Sequence, residues 1–264
     1  MSKSLDYVVA IPSYKRKKLI KTHTLQLLQD YQISPKKIFI FVANKTEFKE
    51  YTSKLPEKYH SNIIIGKKGL HHQRNFISSF FPKNKYIVQM DDDIRKLVEL
   101  SAYDSKNRKA NKIVKVKDFN TFIVKAYQQL IHNKAFIWGV YPICNPYFMF
   151  PRMTTDLRFV VGPFFGIINR KIGKLKNTIE EKEDVERTLQ YYSLDNTVLR
   201  FNNVAIDTTY YKTKGGLQHS KKDRIKDASV SADYLHKKYP TLTRIKNTKK
   251  SGITEIELIR PKVL

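Results

Sequence analysis

The sequence predicts an α/β protein with a mixed, mainly parallel sheet flanked by helices. Short apolar segments rich in β-branched residues, typical of buried strands, cover 5–11, 36–43, 62–65 and 85–90. Apolar residues recur at helical spacing between these strands, most clearly over 70–80. Strands that alternate with helices form right-handed βαβ units, which bind their ligands at the carboxyl ends of the strands.

The second half of the chain continues the alternation without a recognisable linker, so we predict a single domain over 1–264. A helix is predicted over 118–134, and a helix-forming segment follows Asp184. The remaining predicted elements are strands at 135–142, 157–168 and 198–206, a helix at 227–240, and short alternating stretches from 242 to 264.

Three consecutive aspartates, Asp91, Asp92 and Asp93, end the fourth predicted strand. Adjacent carboxylates repel one another, so a fold that gathers them needs a compensating cation. Oxygen ligands favour Mg²⁺, Mn²⁺ or Ca²⁺ over zinc. The alternative is that Asp93 caps a helix beginning at Ile94 and that the other two carboxylates are solvated.

Positive charge dominates the composition. Fifty lysines and arginines against 24 aspartates and glutamates give a formal net charge of +26. This excess favours a polyanionic partner, and nucleic acid fits better than a membrane because no basic amphipathic helix has a clean apolar face. The chain lacks a signal-peptide pattern and an apolar stretch of ~20 residues, so we expect a cytoplasmic protein. The single cysteine, Cys144, excludes an internal disulfide.

The segments 9–16, 69–75 and 90–93 resemble the nucleotide-sugar half of GT-A glycosyltransferases in order and approximate spacing. Segments 40–44, 74–77 and 90–94 are more specifically similar to the glycosyltransferases associated with TET/JBP dioxygenases. Those enzymes occur in phages and large DNA viruses, are related to the base J glucosyltransferase, and modify hydroxymethylated pyrimidines in DNA. A viral origin would place the protein in the host cell cytoplasm.

The resemblance implies that residues 1–100 bind a nucleotide sugar, with a UDP-sugar as the expected donor, and that 101–264 bind the acceptor. Mn²⁺ or Mg²⁺ is then held by Asp91 and Asp93. The residues expected to contact the donor lie in the loops at the carboxyl ends of the strands: Pro12, Ser13, Tyr14, Arg16, Asn44, Gly69, Arg74, Asp91 and Asp92.

An acidic cluster at 180–186 precedes the segment that contains Val185 and Leu189. These carboxylates could simply complement the dipole of a helix that starts there. Inverting GT-A enzymes carry a catalytic carboxylate at this stage of the chain, and the pair Glu183 and Asp184 resembles it. We therefore expect Asp184 to act as general base, with Glu183 beside the donor or acceptor sugar.

Residues 210–220 contain paired glycines, Gly215 and Gly216, whose backbone can close on phosphates, while Lys214 adds positive charge. We predict that all three contact the donor. His219 falls where many GT-A enzymes place a metal-ligating histidine, although it could equally be structural.

Two further segments bear on the acceptor. The polar, lysine-rich stretch 101–117 is either a DNA-contacting loop or a solvated one, and the aromatic loop 144–151 either stacks on bases or packs under the sheet. The predicted function is metal-dependent, inverting transfer of a sugar to a hydroxymethylated pyrimidine in DNA. The alternatives are a GT-A enzyme acting on a polysaccharide, lipid or protein, a noncatalytic nucleic-acid-binding protein, and, with less support, a metal-dependent nuclease.

Overall fold

A computed structural model describes residues 5–208, 221–246 and 253–261 of the chain. The helices of these residues are α1 (Lys17–Thr22), α2 (Thr24–Asp30), α3 (Lys45–Thr52), α4 (Leu70–Phe80), α5 (Phe119–His132), α6 (Glu183–Asp195) and α7 (Lys221–Lys238). The strands are β1 (Tyr7–Pro12), β2 (Ile38–Val42), β3 (Ile63–Ile65), β4 (Tyr86–Met90), β5 (Ile94–Ala102), β6 (Lys112–Lys115), β7 (Ile137–Tyr141), β8 (Met153–Thr154), β9 (Phe164–Ile168), β10 (Leu199–Thr208), β11 (Thr243–Lys246) and β12 (Glu255–Leu258).

Strands β1 to β10 form one ten-stranded sheet with the order β3-β2-β1-β4-β9-β7-β10-β5-β6, and β8 pairs with β10. β1, β2, β3 and β4 are mutually parallel, as the βαβ pattern predicted. β9 is antiparallel to both β4 and β7, and β10 is parallel to β7. The predicted fold class, a mixed and mainly parallel sheet flanked by helices, is confirmed. β11 and β12 form a separate hairpin.

Apolar layers cover both faces of this sheet, because successive residues of its central strands point to opposite sides. Val9 and Ile11 of β1 pack with α2 and α5, whereas Val8 and Ala10 pack with α4 and α6. Burial on both faces explains why the strands have continuous apolar sequences rather than alternating ones. None of the described helices combines the length and apolarity needed to cross a membrane.

The structure corrects several boundaries. Ile94 begins β5, so the alternative that Asp93 caps a helix is wrong. The stretch 101–117 is not only a loop, because it contains β6, which forms an edge of the sheet. The strand predicted at 157–168 is limited to β9, and α7 begins six residues before the predicted start at 227. The segment 19–28 forms two short helices that meet at His23.

The carboxyl ends of β1 and β4 and the amino end of β9 meet at one edge of the sheet. Met90 pairs with Phe164, and the amide of Asp91 donates a hydrogen bond to the Pro163 carbonyl at 2.9 Å. This edge brings together the loop after β1, the three aspartates and the segment that precedes β9. The predicted ligand-binding edge of the sheet thus carries residues from both halves of the chain.

Candidate active site

The three aspartates after β4 have different surroundings. Asp92 is buried, and its carboxylate accepts a 2.6 Å hydrogen bond from the Ser13 hydroxyl and a 3.1 Å bond from Arg16. Asp93 lies 3.5 Å from the same guanidinium. The Asp91 side chain is 26% exposed, compared with 5% for Asp92 and 9% for Asp93. Asp91 is therefore the carboxylate of the three that is most open to solvent.

Hydrogen bonds of Asp92 connect the three aspartates to the loop after β1. Burial raises the pKa of its carboxyl to about 7, Arg16 and Ser13 act against the rise, and the charges of Asp91 and Asp93 add to it. The Ser13 hydroxyl also lies 2.7 Å from the Tyr51 hydroxyl of α3. Ser13, Arg16 and Asp92, which were predicted to contact the donor, thus form one cluster.

Thr24 of α2 holds the turn between β4 and β5. Its hydroxyl donates to the Asp91 carbonyl at 2.7 Å and accepts from the Ile94 amide at 3.0 Å. A buried threonine between two helical segments carries no motif, so sequence reasoning missed this residue.

Arg74 of α4 is the centre of a buried polar network that joins the two halves of the chain. Its guanidinium donates to Glu183 and to Gln89 at 3.0 Å each, and to Asp91 and the Gly162 carbonyl at 2.9 Å each. The side chain is only 3% exposed. We call Arg74, Gln89, Asp91, Gly162 and Glu183 the Arg74 network. Burying a guanidinium is costly unless its donors are satisfied, and here one arginine is bound from four directions.

Glu183 is enclosed at the start of α6. Besides Arg74, it accepts hydrogen bonds from Arg187 and from the Asn177 side chain, each at 2.7 Å. The Arg187 guanidinium also stacks over the Phe165 ring, 3.7 Å from its centroid. The carboxylate of Glu183 is therefore occupied by two cations and an amide rather than facing an open cavity.

Asp184 is more open than Glu183 and approaches the same edge of the sheet. Its Oδ2 accepts from the Gly162 amide at 3.1 Å, and its Oδ1 accepts from the Val185 amide at 2.9 Å. Burial raises the pKa of its carboxyl to about 6, and the negative charge of Glu183 contributes. A carboxylate with this pKa can accept a proton near neutral pH.

Gly162 lies against the carboxylates of Glu183 and Asp184. Its carbonyl binds Arg74, and its amide binds Asp184. A Cβ at this position would lie 3.2 Å from Glu183 Oε1 and 3.3 Å from Asp184 Oδ2, closer than ordinary van der Waals contact. A glycine at this position therefore lets the chain pass close to these two carboxylates.

The start of α4 carries another carboxylate that sequence reasoning missed. Glu180 accepts from the Leu70 amide at 2.7 Å and also contacts the His71 side chain. Gly69, immediately before the helix, has a φ of 93°, which favours glycine. Glu180 therefore satisfies the first amides of α4 from a distant part of the chain. Only its place in the acidic cluster could have drawn attention to it.

Three further residues that were predicted to contact the donor, Pro12, Tyr14 and Asn44, lie at or just after the carboxyl ends of β1 and β2. Pro12 ends β1 and is buried, whereas Tyr14 is half-buried at the surface of the loop. Asn44 caps α3, where its side-chain oxygen accepts from the Glu47 amide at 2.9 Å. Lys214, Gly215, Gly216 and His219 lie outside the residues that the structure describes.

Among residues 5–208, 221–246 and 253–261 no group of three or more His, Cys, Asp or Glu side chains is arranged to hold a metal ion. Enzymes that bind Mg²⁺ or Mn²⁺ through substrate phosphates need only one or two protein carboxylates. Asp91 and Asp93 fit that smaller requirement, since Asp91 is partly exposed and Asp93 follows on the same turn.

Solved structures with a similar fold include fragments of S. aureus TarS and a mycobacterial protein. S. aureus TarS 1–349 in complex with UDP-GlcNAc superimposes with a TM-score of 0.52 at 14% identity, over 88% of this chain and 67% of that chain. The same TarS fragment with UDP gives a TM-score of 0.49 at 13% identity, over 89% and 72% of the two chains. A mycobacterial protein gives 0.47 at 11% identity, over 97% and 84%. No curated protein matches the chain.

The sheet order and the similarity to TarS show the predicted GT-A fold. The family described as TET-Associated Glycosyltransferase matches residues 7–216. The chain therefore belongs to the TET-associated glycosyltransferase family. The prediction of a glycosyltransferase is confirmed, and the alternatives of a noncatalytic nucleic-acid-binding protein and of a nuclease are wrong.

Proposed function

We propose that this protein transfers a sugar from a UDP-sugar to the hydroxymethyl group of a modified pyrimidine in DNA, with inversion at the anomeric carbon. The observation that carries the proposal is the connection Asp91–Arg74–Gly162–Asp184, in which each step is one hydrogen bond. Buried Arg74 thereby holds Asp91, the carboxylate proposed to lie near the leaving group, at a fixed separation from Asp184, the candidate general base.

The donor is assigned to the loop after β1 and to the aspartates. The complex of TarS with UDP-GlcNAc supports a uridine nucleotide, since this chain shares its fold. Tyr14 and Arg16 would lie against the nucleotide, and Lys214, Gly215 and Gly216 would reach the diphosphate from the chain that follows β10. Asp92 would keep Ser13 and Arg16 in place for this contact.

Asp91 and Asp93 would hold Mg²⁺ or Mn²⁺ together with oxygens of the diphosphate, and His219 is a further candidate ligand. A divalent cation in this position supplies charge neutralisation for the departing diphosphate. Arg74 contributes fixed positive charge to the same region, since it contacts Asp91 directly.

Asp184 would act as the general base. The acceptor oxygen forms a bond to the anomeric carbon as the bond from that carbon to the diphosphate breaks, and Asp184 takes the proton of the acceptor hydroxyl. Glu183 would be a positioning residue, because its bonds to Arg74 and Arg187 fix the start of α6. A pKa of about 6 leaves Asp184 ionised at neutral pH, as a base must be.

DNA is the favoured acceptor because of the family and because of the net charge of +26. A hydroxymethyl group on a base within a duplex is hard to reach, and extrusion of the base costs a few kcal/mol. Contacts with the phosphate backbone can offset that cost, and they require many cations. The cytoplasm, of a host cell if the chain is viral, is the compartment that we propose for this activity, and 1–264 is proposed as one domain.

The test is sugar transfer in vitro. The protein is incubated with Mn²⁺, a panel of UDP-sugars and duplex DNA that carries hydroxymethyluracil or hydroxymethylcytosine, with unmodified DNA as the control. Mass spectrometry of the digested nucleosides should detect a sugar on the modified base only, and Asp93→Ala and Asp184→Asn should abolish it. Hydrolysis of the donor without transfer to any DNA would redirect the search to polysaccharide, lipid or protein acceptors.

A further inference from the structure

The hairpin of β5 and β6 and the loop that follows β7 form one continuous surface, although Asn111 and Pro146, which join them, are 35 residues apart in the chain. Asn111 joins them, because its side-chain amide donates to the Pro146 carbonyl at 3.1 Å and its oxygen accepts from the Asp104 amide at 2.7 Å. Beneath this contact, Val98 of β5 packs in one apolar cluster with Met149. We call residues 103–112 and 142–151 the hairpin–loop surface.

Charge on this surface is strongly positive. Residues 103–112 carry four cations, Lys106, Arg108, Lys109 and Lys112, and all four are exposed. The one acidic residue of the segment is Asp104, whose carboxylate accepts from the Lys106 amide at 2.8 Å and the Asn107 amide at 3.0 Å. The carboxylate therefore shapes the turn, and the side chains of the four cations project from it.

The same surface also carries exposed aromatic side chains. Tyr103 is 38% exposed, and Tyr147 and Phe148 of the loop are 41% and 44% exposed. The rings of Tyr147 and Phe148 lie edge to face with their centroids 5.0 Å apart. The sequence left open whether this loop packs under the sheet or is exposed. In the structure Met149 is buried, whereas Tyr147 and Phe148 are exposed.

A groove of about 740 Å³ lies along the hairpin of β5 and β6. The hairpin contributes Ile113 and Lys115, the loop contributes Cys144, and the start of β5 contributes Arg95 and Lys96. Arg95 follows Asp93 by two residues. The lining is of mixed charge, since Asp30 and Asp207 face the groove together with Arg95, Lys96 and Lys115, and Arg95 pairs with Asp207 at 2.8 Å.

We propose that the hairpin–loop surface binds a single nucleic-acid strand, with phosphates on Lys106, Lys109 and their neighbours and with an unpaired base stacked on Tyr147 or Phe148. Interleaved cations and exposed aromatic rings are the chemistry that recognises single strands, because every base has a face that can stack. The inference rests on the proposed function and deepens it. It assigns to this surface the strand from which the acceptor base is presented.

The test measures the affinity of the protein for a fluorescent single-stranded DNA without modified bases, by anisotropy at several salt concentrations. The double variant Lys106→Gln/Lys109→Gln should weaken binding and lower the slope of log K against log salt by about 1.4. The control is Lys36→Gln/Lys83→Gln, which removes the same charge from exposed positions just before β2 and β4, outside the hairpin–loop surface. The control should leave the slope unchanged.

Stacking is tested separately. Tyr147→Ala/Phe148→Ala should weaken binding by roughly 5- to 100-fold with an unchanged salt slope, since it removes rings and no charge. Tyr147→Phe keeps the ring and should bind like the unaltered protein. Circular dichroism of each variant establishes that it is folded, and a variant that fails this check is replaced by Phe148→Ser alone.

Two results would overturn the inference. One is equal weakening by the two lysine pairs, which would mean diffuse attraction to the whole surface. The other is unaltered DNA binding by the aromatic variant. If the variants keep DNA binding but lose binding to vesicles with anionic lipid, the inference is overturned in the same way. Neither depends on sugar transfer, and UDP binding to the unaltered protein is measured independently. Failure of UDP binding and of transfer would refute the proposed function while the result for the DNA surface still stood.

Discussion

The Arg74 network and the hairpin–loop surface both concentrate charge, but they hold it in opposite ways. In the network, Arg74 and Glu183 are buried, each ionic group is bound to a partner, and Arg74 alone makes four hydrogen bonds. On the surface, the cations are exposed, and the local carboxylate of Asp104 is occupied by backbone amides. The first arrangement fixes atoms for chemistry, and the second remains able to adapt to a polymer.

The difference has an energetic basis. A buried charge that loses its partner retains its desolvation cost, so the network depends on every member. An exposed cation is already solvated, and its contribution to folding is small. Removal of one charged group should therefore lower the free energy of unfolding strongly in the network and only slightly on the surface.

Asp184→Asn should have the largest effect. The asparagine oxygen can still accept one of the two amide hydrogen bonds, but the side chain cannot take a proton, so kcat should fall by about 10²- to 10⁴-fold. UDP affinity, measured by calorimetry, should change little. Glu181→Gln is the control from the same acidic cluster, and comparable losses in both variants would remove Asp184 from the role of base.

Arg74→Met should destabilise the fold by about 3–5 kcal/mol, because Glu183 and Asp91 lose their shared cation. The measurement is urea denaturation. Arg108→Met makes the same substitution on the hairpin–loop surface and should leave the midpoint almost unchanged. Similar midpoints for the two variants would contradict the contrast between the regions.

The pH dependence of kcat/KM should report the raised pKa of Asp184. Its carboxyl is protonated below a pH of about 6, where it cannot act as a base, so the rate should fall about tenfold per pH unit below that value and level off above it. Rates that stay constant from pH 7 to pH 5 would be incompatible with this assignment.

Gly162→Ala should lower kcat by roughly tenfold, since the added methyl group must displace Asp184 or Glu183 by a few tenths of an ångström. Gly173→Ala is the matched control, because a Cβ there meets nothing within 4 Å. If both alanine variants retain full activity, the close approach at Gly162 does not position the base.

The smallest expected effect is at Asn44. Asn44→Ala should cost about 1 kcal/mol of stability through loss of the cap on α3, and Asn44→Asp should restore it. UDP affinity of the same two variants tests the donor contact predicted for this residue. A loss of affinity with unchanged stability would mean that the side chain serves the nucleotide rather than the helix.

Local sequence was sufficient for the donor half of the fold. Apolar periodicity and the position of the aspartates predicted four parallel strands and the edge at which they end, and α4 occupies the predicted 70–80. The predicted boundaries of secondary-structure elements were wrong where strand pairing between distant segments overrode the local sequence preference. Residues 112–115, which lie within a lysine-rich stretch, become β6 because β5 offers them an edge.

For the candidate site, residue types and order along the chain marked the aspartates, Arg74 and the pair Glu183–Asp184. The sequence could not show that Glu183 is enclosed while Asp184 is open, because that difference depends on Arg74 and Arg187 arriving from two different helices. Thr24 and Glu180 were invisible for the same reason. Each acts on backbone groups that are distant in the chain.

The sequence by itself determined the order of the elements, the positive charge and the acidic residues available for chemistry, because these follow from local composition and periodicity. Only the tertiary structure decided which acidic residues are bound by cations and which remain open. The same holds for the aromatic loop, whose rings lie beside the hairpin because one buried asparagine joins two distant segments. Burial and partner choice are properties of the packed chain, and they separate a positioning carboxylate from a candidate base.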